Sequence, residues 1–125
     1  MRDVFGYIKA TPDREYLLRA SYLEIYNEQI HDLLAPSIGA ARVPITLQGA
    51  GLNVTMTPLR EEVVTSLKAV KEVMERGESN RRTATTDWNE RSSRSHSVFR
   101  LVRTTCYRIS GKLTTSGNRE SRERL

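Results

Sequence analysis

The segment Tyr16–Tyr26, with the sequence YLLRASYLEIY, constrains the fold of this chain more than any other feature. It is rich in β-formers and apolar residues, and the apolar residues fall on both faces of an extended strand. One face would carry Leu18, Ala20 and Tyr22, and the other Leu17, Leu23 and Ile25. A strand that is apolar on both faces has to be covered on both. The segment therefore predicts a layered α/β fold with this strand inside the sheet.

Two helices are predicted to flank this sheet. Asp3–Lys9 repeats apolar residues at helical spacing until Pro12, which cannot continue a helix. Ser66–Arg76 repeats the same pattern, and Gly77 is expected to end the helix.

The remaining elements are shorter. Asn27 is interpreted as the cap of a short helix, because the following apolar residues share one helical face. Residues 78–95 contain no apolar periodicity and are interpreted as a loop. Further strands are predicted at Val43–Gln48, within Leu52–Val64 and at Ser97–Val102.

Composition limits the class of protein. The chain has 125 residues, enough for one modest domain, and Cys106 is its single cysteine, which excludes an internal disulfide. No apolar run approaches the roughly 20 residues that span a bilayer, so no membrane partner is expected. The formal net charge of +5 favours a polyanionic partner such as nucleic acid or an acidic protein.

The chemistry is concentrated in Asn89–His96, NERSSRSH, which precedes a predicted strand. Ser92 and Ser93 offer small hydroxyls for a phosphate oxygen or a hydrated Mg²⁺, Asn89 adds an amide, and Arg94 adds a planar cation. Phosphoryl transfer needs such positioned donors more than it needs covalent help. A solvated Ser/Arg loop or a kinase target is the competing interpretation, and composition alone favours it.

A resemblance changes this balance. NERSSRSH matches the switch I pattern of kinesin motor domains, N-x-x-S-S-R-S-H, at every fixed position. SYLEIYNEQIHDLL and MERGESNRRTATTDW resemble other segments of that family in the same order. Together the resembling segments cover about residues 3–101, and the similarity extends loosely to the centromere-associated kinesin group. The resemblance implies a partial three-layer core like that of P-loop NTPases, with a mixed sheet, flanking helices and parts missing.

The resemblance also implies roles for single residues. Ser92 corresponds to the serine that contacts the γ-phosphate, and Ser93 to the serine that faces Mg²⁺ through water. Arg94 corresponds to the arginine that pairs with a switch II glutamate, and Asn89 lies near the nucleotide. The implied cofactors are therefore ATP and Mg²⁺.

The implied partner is the microtubule, whose acidic surface suits a basic chain, and the implied location is the cytoplasm and its cytoskeleton. Arg42 and Arg60 are weak candidates for contact with tubulin.

Two motifs of the family are absent from the sequence. No G-x-x-x-x-G-K-[ST] pattern occurs, and no D-x-x-G-S-E pattern follows. The loop that cradles the β- and γ-phosphates and the partner of Arg94 are thus expected to lie in the remainder of a motor domain. The isolated chain is expected to hydrolyse no ATP.

The C-terminal part departs from the resemblance. Residues 1–101 are interpreted as a partial motor domain and residues 102–125 as a divergent basic tail, predicted to be disordered. Because ESRER at 120–124 resembles what often follows the preceding strand, residues 102–119 are hypothesised to be inserted by a retained intron or a gene-model error.

Three functions remain open from the sequence. The first is a fragment of a microtubule-stimulated ATPase, and the second is a non-catalytic, truncated interaction module. The third is a basic Ser/Arg protein that binds nucleic acid, which is disfavoured because the chain lacks serine–arginine repeats and aromatic residues interleaved with its cations.

Overall fold

The computed structural model describes residues 2–35, 43–83, 93–109 and 112–124, with side chains described at 2–35, 43–82 and 93–106. In chain order the elements are α1 (Arg2–Ala10), β1 (Arg14–Tyr26), β2 (Gln29–Asp32), β3 (Thr46–Gln48), β4 (Thr55–Thr57), β5 (Glu62–Val63), α2 (Leu67–Thr83), β6 (His96–Ile109) and β7 (Lys112–Arg124). No helix among these residues is both long and apolar enough to cross a membrane.

The strand β1 lies inside a five-stranded sheet of order β2-β1-β6-β7, with β5 also paired to β1. Each of these pairs runs antiparallel. The strands β3 and β4 form a separate two-stranded sheet. The predicted α/β fold, with the strand at residues 16–26 inside the sheet and helices packed against the sheet, is confirmed.

The core lies between the helices and one face of the sheet. Leu18, Ala20 and Tyr22 of β1 are buried there, as their alternation predicts. Val70 and Val73 of α2 pack into the same cluster, and α1 adds partly buried residues, namely Val4, Phe5 and Ile8. In the described part of the chain both helices thus cover the same face of β1. On the other face, Leu17 and Ile25 stay partly exposed and Leu23 is buried.

Helix α2 is longer than predicted, because Gly77 lies inside it. Gly77 is buried, and a Cβ built there would come within 2.2 Å of Cδ1 of Tyr22. Glycine at this position permits close helix–sheet contact, so its expected role as a helix stop is wrong. Residues 78–83, predicted as loop, are therefore helical.

The short helix predicted after Asn27 is also wrong, because the structure has a turn followed by a strand there. Asn27 and Glu28 adopt left-handed φ values of 49° and 60°, and the chain turns directly into β2, which pairs with β1. A two-residue turn with both φ values positive matches the twist of paired strands. Asn27 therefore acts as a turn residue rather than a helix cap.

The C-terminal part differs from the expected disordered tail. The backbones of β6 and β7 pair from Val98–Arg124 to Ile109–Lys112, with an irregularity between Thr104 and Thr105. Antiparallel ladders satisfy backbone polar groups whatever the side chains are, so a polar sequence can still form a strand.

Candidate functional site

The predicted site residues are only partly within the described chain. Asn89, Ser92 and the tubulin candidate Arg42 lie outside the described residues. Ser93 and Arg94 are helical and exposed to solvent, and only Ser95 separates them from His96, where β6 begins. Their side chains are therefore placed where an external ligand can reach them.

The other tubulin candidate, Arg60, is exposed and lies between β4 and β5. Its backbone N–H donates to Oδ2 of Asp32 at 2.7 Å, while Oδ1 accepts from the backbone of Leu34 at 2.8 Å. Asp32 thus fixes the backbone of Arg60 and leaves its side chain in solvent.

A side-chain bridge joins the end of α2 to the residue that follows Arg94. Arg81 donates from Nη2 to Oγ of Ser95 at 2.6 Å and from Nε to Oε1 of Glu24 at 3.3 Å. The planar guanidinium can make both contacts because its donors point in fixed, divergent directions. We call Glu24, Arg81 and Ser95 the Arg81 bridge.

The Arg81 bridge is deeply buried at Glu24, the residue that it takes from β1. The Glu24 side chain is 0% exposed and the Arg81 side chain 12% exposed. Buried charges are tolerated when they are paired, so each requires the other. Ser95 is half-buried above them, immediately after the exposed Ser93 and Arg94. The exposed Ser93 and Arg94 are thus joined, through Ser95, to a buried ion pair.

Sequence reasoning missed this bridge. Glu24 lies on the same face of β1 as Leu18, Ala20 and Tyr22, where a carboxylate is out of place without a partner. That position was the available signal. That signal does not identify Arg81 as the partner, because the sequence predicts a loop at residue 81, where the structure has the last turn of α2.

Tyr22 extends the polar contacts from the strand to α2. Its hydroxyl donates to Oε1 of Glu78, and its ring packs edge-on against Phe99 with the centroids 5.6 Å apart. Glu78 also lies 3.8 Å from Nη1 of Arg81, measured from its Oε1. Burial, followed by the hydrogen bond to Glu78, raises the pKa of Tyr22 from 10.0 to about 12.

This raised pKa predicts a loss of stability in alkaline solution. Well below pH 10.0 the phenol of Tyr22 is neutral in both folded and unfolded chains, so its contribution is fully present. Between that pH and about 12, the unfolded chain ionises first, and the free energy of unfolding should fall by up to about 1.4 kcal/mol per pH unit. Urea unfolding from pH 8 to 11.5 measures this slope.

Tyr22→Phe should flatten that slope, whereas Tyr7→Phe, at a position 43% exposed, should leave it as in the wild type. Equal slopes for the wild type and Tyr22→Phe would contradict the prediction.

The described part of the candidate site offers a hydroxyl and a cation rather than a cluster of metal-ligating side chains. Among the described residues, no group of three or more His, Cys, Asp or Glu is arranged to hold a metal ion. Ser93 instead offers an exposed hydroxyl and Arg94 an exposed cation.

Comparison with known proteins decides the family. Residues 1–119 match the family model described as the kinesin motor domain. The chain belongs to the kinesin motor family. The family predicted from NERSSRSH and its neighbouring segments is thereby confirmed. The match also extends through residues 102–119, and the hypothesis that these are inserted stays a prediction.

Individual kinesins show how much of a motor protein the chain represents. It is 46% identical over 102 residues to the kinesin-like protein KIN-7L of rice, covering 82% of this chain and 15% of that protein. It is 42% identical over 104 residues to human centromere-associated protein E, covering 82% of this chain and 4% of that protein. The chain therefore spans a small part of the relatives it matches.

A solved kinesin has the same fold. The structure described as a fast kinesin, with implications for ATPase mechanism and interactions with microtubules, aligns with a TM-score of 0.75 at 35% identity. The alignment covers 91% of this chain and 32% of that one. The architecture described above is thus a part of a kinesin motor domain.

Proposed function

We propose that this chain supplies the switch I part of a motor domain that hydrolyses Mg·ATP and moves along microtubules. The observation that carries the proposal is the exposed pair Ser93 and Arg94, set at the start of β6 within a chain of the kinesin family. Asn89 and Ser92, two further members of the same motif, are included in the proposed site.

The proposed roles follow the chemistry of each side chain. Ser92 contacts the γ-phosphate, and Ser93 faces Mg²⁺ through water, since hydroxyls both donate and accept. Arg94 pairs with a carboxylate elsewhere in the motor domain, for which its bidentate fork is suited. Asn89 contributes an amide near the nucleotide. When bound, Mg²⁺ would neutralise the charge that develops on the phosphates.

Microtubules are the proposed partner, and the cytoplasmic cytoskeleton the proposed location. The net charge of +5 favours association with an acidic surface. Arg60 is exposed and its backbone is held by Asp32, which makes it available for such a contact. Arg42 is proposed on its charge and sequence position alone. The non-catalytic and nucleic-acid-binding alternatives gain no support from the site.

The proposal is tested in a chimera. Residues 3–101 of this chain replace the corresponding segment of the rice KIN-7L motor domain, so that the parts absent from this sequence are supplied. We expect ATP hydrolysis that microtubules stimulate. Ser93→Ala should lower kcat by roughly tenfold to a hundredfold, because a hydrogen bond to a charged ligand is worth roughly 1.5–3 kcal/mol. Steady-state phosphate release measures both.

Ser79→Ala is the matched control, since Ser79 is an exposed serine of α2 outside the proposed site. Equal loss in both variants, or none in Ser93→Ala, would contradict the assigned role. The 125-residue chain alone should bind ATP too weakly for calorimetry at micromolar concentration, because its sequence contains no phosphate-cradling glycine loop.

A further inference from the structure

The exposed residues Ser93 and Arg94 are followed by Ser95, whose side chain is held by a hydrogen bond. Ser95 is half-buried, and its hydroxyl accepts from Arg81 at 2.6 Å, whereas Ser93 and Arg94 face solvent. The position of an exposed turn depends in part on where its ends are held. Ser95 is such an end, because β6 begins at the next residue.

Arg81 is itself held by an ion pair with the sheet. Its Nε–H donates to Glu24, which has no exposed surface and lies in the strand β1 that pairs with β6 along most of its length. Glu24 is directly opposite Ser97 in that pairing. The guanidinium of Arg81 therefore contacts the sheet at Glu24 and the turn at Ser95. The last turn of α2, which carries Arg81, is in this way linked to both.

We infer that Arg81 is a positioning residue for the phosphate site: it holds Ser95, and through Ser95 it fixes the turn that presents Ser93 and Arg94. The inference rests on the proposed function only in calling that turn a phosphate site. The coupling of α2 to the turn belongs to the chain with or without nucleotide. A displacement of α2 would be transmitted to Ser93 and Arg94 through this contact.

Two substitutions separate positioning from general stability. Ser95→Ala removes the acceptor and leaves the Glu24–Arg81 pair intact. Arg81→Lys keeps a cation beside Glu24 but loses the fork that reaches both partners. Ser95→Thr keeps the hydroxyl and should behave as the wild type. Arg82→Lys is the matched control, because Arg82 is the exposed neighbour of Arg81 on the same helix.

Hydrogen exchange of the complete 125-residue chain measures the coupling. In Ser95→Ala and Arg81→Lys, amides in a peptide spanning residues 93–98 should exchange about tenfold faster, as expected for a lost charge-assisted hydrogen bond. A peptide spanning residues 18–23 in β1 reports the core and should be unchanged in Ser95→Ala. The double variant should exchange no faster than the faster single one.

Two results would overturn the inference. One is unchanged exchange at residues 93–98 in Ser95→Ala while the core peptide stays protected. The other is equal acceleration in Arg82→Lys.

The chimera separates this inference from the proposed function. Ser95→Ala should lower its kcat with little change in KM, and Ser95→Thr should restore it. A wild-type chimera without ATP hydrolysis contradicts the proposed function, while the exchange data still decide the inference. A chimera that hydrolyses ATP and is indifferent to Ser95→Ala contradicts the inference alone.

Discussion

Replacing Gly77 with alanine is expected to lower the free energy of unfolding of this chain by about 3 kcal/mol, at the upper end of typical overpacking costs. The added Cβ would lie 2.2 Å from Cδ1 and 2.9 Å from Cε1 of Tyr22. Tyr22 cannot move aside easily, because it is fully buried in the sheet and packed against Phe99. The collision outweighs the gain of about 1 kcal/mol that alanine normally brings to a helix interior.

Gly6→Ala is the matched control for this experiment. Gly6 lies in α1, and a Cβ built there meets nothing within 4 Å. The same substitution should therefore stabilise the chain by about 0.5–1 kcal/mol through helix propensity alone. Urea unfolding of both variants gives the comparison. A Gly77→Ala protein as stable as the wild type would show that α2 does not approach Tyr22 as closely as described.

The same glycine explains why one helix boundary could not be predicted. A glycine after an apolar helical pattern usually ends the helix, and nothing local distinguishes that use from a close contact with another element. The deciding neighbour, Tyr22, is distant in sequence. Asn27 is ambiguous for a similar reason, since asparagine favours both helix caps and left-handed turns. By contrast, the alternation in Tyr16–Tyr26 predicted the buried face of β1 correctly, because that signal is local.

In the candidate site, too, the residues marked by a local sequence signal could be predicted, and those defined by contacts between distant parts of the chain could not. Ser93 and Arg94 could be proposed from the sequence, because their chemistry is carried by a contiguous motif. The Arg81 bridge could not, because it joins β1, α2 and the residue before β6, and its geometry depends on α2 continuing past Gly77. Only Glu24, a carboxylate on an apolar strand face, signalled from the sequence that a buried partner was needed.

Glu24→Ala should lower the free energy of unfolding by about 3–5 kcal/mol, the range for breaking one side of a buried ion pair. Glu24 has no exposed side-chain surface, and Arg81 is 12% exposed, so water cannot readily replace the lost carboxylate. Glu75→Ala, at an exposed position of α2, should change stability by less than about 0.5 kcal/mol. Chemical denaturation of both variants, together with their soluble yield, measures the difference.

The double variant Glu24→Leu with Arg81→Met tests the cause of that loss. If the cost comes from a buried charge deprived of its partner, removing both charges should restore stability relative to Glu24→Ala, because apolar side chains of similar size can fill the same space. If the double variant is as unstable as the sum of its single variants, the two side chains act independently and the pair is not a unit. The restored protein should still show fast exchange at residues 93–98, since methionine has no donor for Ser95. Stability and the position of the turn at Ser93 and Arg94 would then be separated in a single molecule.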